Sequence, residues 1–279
     1  MKKILLTTSA LTLLAGAAAA DVSLGGYARL GVSNADGATT NYQRNQITFS
    51  GSATTDGGLT LSSWTRYRQS AGASVYAGTG VFAAPRLSIS NGAMTLTAGN
   101  AGGAINANSG MWGCGTVMWG CSDVVGGWDW ASTSSTGTGP NVVRLDMALG
   151  GASVSVSGGN GNDTEASLSM AMGGGSVGIG FDQNSAATQT ISVNYSGSMS
   201  GMGVGLRMSQ SGGSTGYIGN VSAPMGAGSV YVFAGKTLGA SNNYGLRYNQ
   251  SLGGGASMQA GVTSAGGATT VGAGVAFGF

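Results

Sequence analysis

From Val22 to Phe279, apolar side chains alternate with small or polar ones in one short run after another. The runs lie at 22–30, 46–50, 59–68, 86–90, 94–98, 142–149, 152–157, 165–172, 176–182, 190–195, 202–208, 229–234, 244–249, 256–263 and 270–279. A period of two puts successive side chains on opposite faces of a strand, so each run is expected to be one. A weaker run at 216–222 fits the spacing and brings the expectation to about sixteen strands. No sustained period of 3.6 follows Ala20, so the fold class is all-β.

The breaks between runs also follow an order. Turn-like links at 55–58, 91–93, 150–151, 173–175, 198–201, 224–228 and 253–255 take turns with more polar links at 34–42, 70–79, 160–164, 184–188, 211–215 and 237–242. Short links at one end and longer ones at the other are the expectation for an antiparallel up-and-down barrel that crosses a membrane. Such strands need roughly 9 to 11 residues each, so the shorter runs must extend into their flanking links.

Charge sorts by face. Arg29 has the opposite parity to Val22, Leu24, Leu30 and Val32, and the same split separates Arg44 from Ile47 and Phe49, and Arg66 and Arg68 from Leu59 and Leu61. Arg86, Arg144, Asp146, Glu165, Asp182, Arg207 and Arg247 each lie opposite the apolar positions of their own run. All eight arginines therefore point the same way, which is inward if the apolar face meets lipid. An outward arginine at mid-bilayer would cost ~2 to 4 kcal/mol. A soluble sandwich would reverse the faces, and alternation alone does not decide between the two.

Composition, the start of the chain and the absence of a helical period favour lipid. Lys2 and Lys3, an apolar run over 4–14 and the Ala18-x-Ala20 site read as a signal peptide over 1–20, with cleavage leaving Asp21 first. The apolar run is too short to span ~30 Å of hydrocarbon as a helix. Without Lys2 and Lys3 the chain carries nine basic and nine acidic side chains, which disfavours a nucleic-acid partner and suits a lipid-facing surface better than a freely soluble one. Gly158 to Ala166 matches a calcium-binding nonapeptide except at Glu165, but it occurs once and a solenoid needs several repeats.

With these faces assigned, the chain resembles the general porins of Gram-negative outer membranes, of the alphaproteobacterial type. The resemblance rests on Asp21-Val-Ser-Leu-Gly-Gly-Tyr-Ala-Arg-Leu30 after the Ala-x-Ala site, on Leu96-Thr-Ala-Gly-Asn100, and on the last strand ending in Phe279. It implies a water-filled channel for passive diffusion of ions and small polar solutes, a homotrimer, a setting of outer-membrane lipid and lipopolysaccharide, and no cofactor or metal. Val275, Phe277 and Phe279 are similar to the terminal signal read by the barrel-assembly machinery. The amino group of Asp21 is expected near the carboxylate of Phe279 where the first and last strands close the barrel.

The resemblance also gives meaning to the one connection of some forty residues, over 101–140, since a loop of that length is functional or disordered. It follows the fifth strand, where such porins carry a third loop that folds into the lumen and constricts it. Trp112, Trp119, Trp128 and Trp130 would anchor that loop against the inner wall. Cys114 and Cys121 would staple it, a pairing that their separation and an oxidising compartment allow and that the resemblance does not itself require. Arg29, Arg44, Arg66, Arg68 and Arg86 would face Asp123 and Asp129 across the constriction. A zinc site or a catalytic thiol is disfavoured by the absence of His, which equally removes the usual proton relay of an outer-membrane enzyme. The alternative is a non-conducting surface barrel whose Trp-rich loop binds a partner.

Overall fold

The computed structural model describes residues 20–72, 80–108, 133, 139–159, 164–183, 188–236, 238–239 and 241–279. The strands are β1 (Asp21–Ala35), β2 (Ala38–Thr54), β3 (Thr60–Gly72), β4 (Val81–Phe82), β5 (Arg86–Ser90), β6 (Met94–Gly99), β7 (Val142–Leu149), β8 (Ala152–Gly158) and β9 (Thr164–Met172). They continue as β10 (Gly175–Gln183), β11 (Gln189–Met199), β12 (Met202–Ser211), β13 (Ser214–Met225), β14 (Gly228–Lys236), β15 (Asn242–Gly253), β16 (Ala256–Ala265) and β17 (Ala268–Gly278). Among the described residues one five-residue helix, α1 (Ala104–Asn108), interrupts the series.

Every pairing is antiparallel between chain neighbours, and β17 pairs with β1, so the sheet closes and leaves no edge. Both β4 and β5 pair with β3, above and below a break at Ala83 to Pro85. They form one stave, and the barrel has sixteen. Pro85 has no N–H to give to a ladder, and its carbonyl instead accepts the N–H of Asn100 at 3.0 Å.

The apolar parity is the outer face. Val22, Leu24, Leu30, Ile89, Leu96, Val193, Leu206, Leu246 and Val275 are all exposed on the barrel surface. Inward positions carry Ser, Thr, Asn, Gln and the arginines, the reverse of a soluble protein and the arrangement a bilayer selects.

Two expectations are corrected. The polar stretches at 34–42 and 211–215 are strand almost throughout, closed by two-residue turns at Asp36-Gly37 and Gly212-Gly213. Asp36 and Gly37 both have positive φ, at 47° and 89°, the twist that suits a tight hairpin. Polarity there marks where the wall leaves the bilayer, not where the strand ends. The closure also offsets the termini: Phe279 exchanges backbone hydrogen bonds with Gly26, while Asp21 lies opposite Ser52. Five residues of extended β1 separate the two, roughly 16 Å, too far for an ion pair. The cause is the stagger that any tilted barrel accumulates around its circumference.

Candidate functional site

Neighbouring staves place the candidate arginines side by side. Arg29 on β1 stands directly opposite Arg44 on β2, and the next inward row joins Tyr27, Gln46 and Arg68. Below it Thr48 faces Arg66, then Trp64 faces Arg86. Each guanidinium is held by an uncharged neighbour. Arg29 lies 4.4 Å from the Tyr27 ring centroid, Arg44 5.3 Å from Tyr42, and Arg66 and Arg86 share Trp64 at 5.3 and 4.7 Å. Arg44 Nε donates to Ser70 Oγ at 3.2 Å, and Arg68 Nε donates to Gln46 Oε1 at 2.9 Å. Arg86 and Trp64 also line a recess of about 260 Å³ with Asp21, Ser23, Ser50, Ser52 and Ser62.

The register extends this group. When partners are followed around the barrel with a stagger of about one residue per stave, Arg29, Arg44 and Arg68 share a height with Arg247 on β15 and Arg207 on β12. Arg247 sits 5.6 Å from the Tyr231 ring centroid. Arg66 and Arg86 lie slightly lower.

A different arc of the wall receives the head of the long connection. After Gly99 the chain turns inward, and Ala101, Ala104 and Ile105 are buried. Five residues are too few for a helix to hold itself, so α1 depends on the wall. Its free N–H groups find acceptors there: Ala104 N donates to Ser157 Oγ and Ile105 N to Glu165 Oε2, each at 2.8 Å. Asn108 Nδ2 donates to Ser155 Oγ at 2.8 Å and Ser167 Oγ at 3.1 Å, and Ser167 Oγ donates to Ala104 O. Arg144 Nη1 donates to Gly102 O at 2.6 Å while its Nε pairs with Asp146 at 3.0 Å. On the lumen side Ile105 joins Ile218 and Phe233 in a buried apolar cluster.

Three of these features were not expected. Glu165 stands opposite Asp182, and both carboxylates are buried. Glu165 caps α1, a role with no local signature because its partner is sixty residues away. Ile218 and Phe233 are apolar yet inward, and only the unbroken Tyr231-Val232-Phe233 run hints at it. Trp112, Trp119, Trp128, Trp130, Cys114, Cys121, Asp123 and Asp129 lie outside the described residues. Val275, Phe277 and Phe279 sit exposed on the outer face of the closing stave.

A closed barrel with inward charge and an apolar exterior has many conceivable owners, but the model of one family, described as Gram-negative porin, matches residues 7–276. The chain belongs to that family. Among solved structures, a triple mutant of Rhodopseudomonas blastica porin superposes on this porin with a TM-score of 0.76 and 17% identity, covering 93% of this chain and 100% of that one. Two further variants of the same porin give the same score and coverage at 16% and 18% identity. At that identity the likeness carries the fold. Among curated proteins, none matches the sequence. The porin is an outer-membrane channel for passive diffusion of ions and small hydrophilic solutes, and sixteen staves are enough to leave an aqueous lumen.

Proposed function

We propose that the connection over 101–140 narrows this channel, and that its Asp123 and Asp129 face the wall of Arg29, Arg44, Arg66, Arg68 and Arg86. The reading is supported above all by the placement of α1. The connection begins inside the barrel, on the arc of β8 to β10, away from the arc that carries the arginines. The 33 residues between Asn108 and Val142 give the chain length enough to reach across the lumen and return. Opposed charges across a narrow, poorly screened gap make a transverse field that orients water and dipolar solutes. Small polar solutes then pass, and bulky apolar ones meet a barrier. Trp112, Trp119, Trp128 and Trp130 would seat the loop, and a Cys114–Cys121 disulfide would add ~2 to 3 kcal/mol to its closure.

Planar-bilayer recording tests this. Purified protein should form ohmic channels. Arg66→Gln with Arg68→Gln should move the reversal potential toward cations, and Asp123→Asn with Asp129→Asn toward anions. If neither double substitution changes selectivity or conductance, these residues do not line the constriction.

The remaining roles belong to the same proposal. Residues 1–20 act as a signal peptide, so intact-mass analysis of outer-membrane material should find a chain that begins at Asp21; retention of 1–20 would refute this. The mature chain assembles as a homotrimer among lipid and lipopolysaccharide, and Val275, Phe277 and Phe279 direct it through the barrel-assembly machinery. It has no catalytic role: no His is present to move a proton, and no second chemistry is needed for diffusion.

A further inference from the structure

Inward charge does not balance. On the strands, eight arginines point into the barrel against Asp21, Asp146, Glu165 and Asp182. Adding Asp123 and Asp129 of the long connection still leaves the cations in excess. Two of the strand carboxylates are also committed, Asp146 to Arg144 and Glu165 to the Ile105 N–H, with Gly103 pressed against the Glu165 carboxyl. Asp21 lies at the foot of β1, in the recess beside Arg86, and the remaining acids of the mature chain lie elsewhere: Asp36 and Asp56 are in turns, and Asp163 is in the connection before β9.

The excess is concentrated at one place. Arg247, Arg29, Arg44 and Arg68 follow one another around the arc from β15 to β3 at one height, with β16 and β17 between the first two. Over that gap the inward positions are Gln259 and Gly261 on β16 and Gly272, Gly274 and Ala276 on β17, so Gln259 is the one long side chain beside the guanidiniums there. Arg29 and Arg44 are in direct cross-strand register, an arrangement that like charges disfavour. Their neighbours among the described residues are aromatic rings and a hydroxyl, and the buried Arg29 Nη1 has no hydrogen-bond acceptor among those residues.

We propose that this arc is an anion subsite, and that the channel in consequence favours anions. The solute class is a small oxyanion, a carboxylate or phosphate, whose oxygens suit the planar fork of two adjacent guanidiniums. The small inward residues of β17 let it approach Arg29 from the side, where the Gln259 amide can also donate. Residence there is brief, because a solute must leave as readily as it enters for the pore to conduct.

The inference rests on the channel reading, and the same recordings separate the two. In a potassium chloride gradient the wild-type porin should show a reversal potential of the sign set by chloride. Inorganic phosphate added to one side should reduce chloride current saturably. Arg29→Gln with Arg44→Gln should weaken that block about tenfold, equivalent to 1.4 kcal/mol, and lower the preference for chloride. Arg29→Lys with Arg44→Lys keeps the charge and loses the fork, so it should retain the chloride preference with weaker block. Failure to form channels would overturn the function itself. Channels that prefer potassium, or phosphate block that does not saturate in the wild-type protein, overturn the subsite alone and need no variant to fold.

Discussion

Gly103→Val should open the channel. The wall holds α1 by giving its first N–H groups a hydroxyl and a carboxylate, and Gly103 packs against that carboxylate with no space for a side chain. A Cβ at 103 would fall on the Glu165 carboxyl group, which is buried and already accepts the Ile105 N–H. Either Glu165 or the head of the connection must move, and forced overpacking of this kind costs ~1 to 3 kcal/mol. The connection is the softer of the two, since Glu165 is fixed in the closed sheet between β8 and β10. Single-channel conductance should rise by about half or more and become noisier as the anchored segment leaves the lumen. Glu165→Gln makes the comparison informative. Its carbonyl oxygen still accepts from Ile105 N, so conductance should change little if the hydrogen bond holds α1, and should follow Gly103→Val if charge does. Unaltered conductance in Gly103→Val would mean that α1 does not hold the constriction.

The contrast between wall and loop shows which parts of this protein can be read from its sequence. Each stave obeys a local rule, because a lipid-facing residue and its lumen-facing neighbour are adjacent in the chain. Leu206 beside Arg207, or Leu246 beside Arg247, is enough to orient a strand. What crosses staves is not local. The pairing of Glu165 with Asp182, the shared height of Arg29 and Arg247, and the separation of Asp21 from Phe279 all depend on stagger summed around the circumference. No single run contains that quantity. Helix α1 escaped for another reason. Ala104 to Asn108 is too short to show a period, and its apolar contacts, Ile218 and Phe233, come from strands whose inward faces are otherwise polar. The break at Ala83 to Pro85 could have been inferred, since Pro85 precedes the Arg86 run and cannot donate to a ladder.

Leu206→Arg should destabilise the folded barrel by ~2 to 4 kcal/mol, whereas Arg207→Leu, one residue away, should leave its insertion into lipid intact. Leu206 is 56% exposed on the outer face near the middle of β12, where a guanidinium would be far from both interfaces. Arg207 is 4% exposed and lies opposite Asn194 inside the barrel. A leucine there meets the polar inner surface, removes one of the arginines at the height of the anion arc, and should reduce chloride preference slightly. The two substitutions alter hydropathy in opposite directions, so a general dependence on composition would make Leu206→Arg harmless to a water-exposed surface and Arg207→Leu the damaging change. Urea titration of folding into lipid vesicles separates the cases, with tryptophan emission as the signal. A midpoint that falls only for Leu206→Arg requires lipid outside and water inside. Equal midpoints would mean that the exposed apolar parity does not meet a bilayer, and the orientation of every stave would have to be reversed.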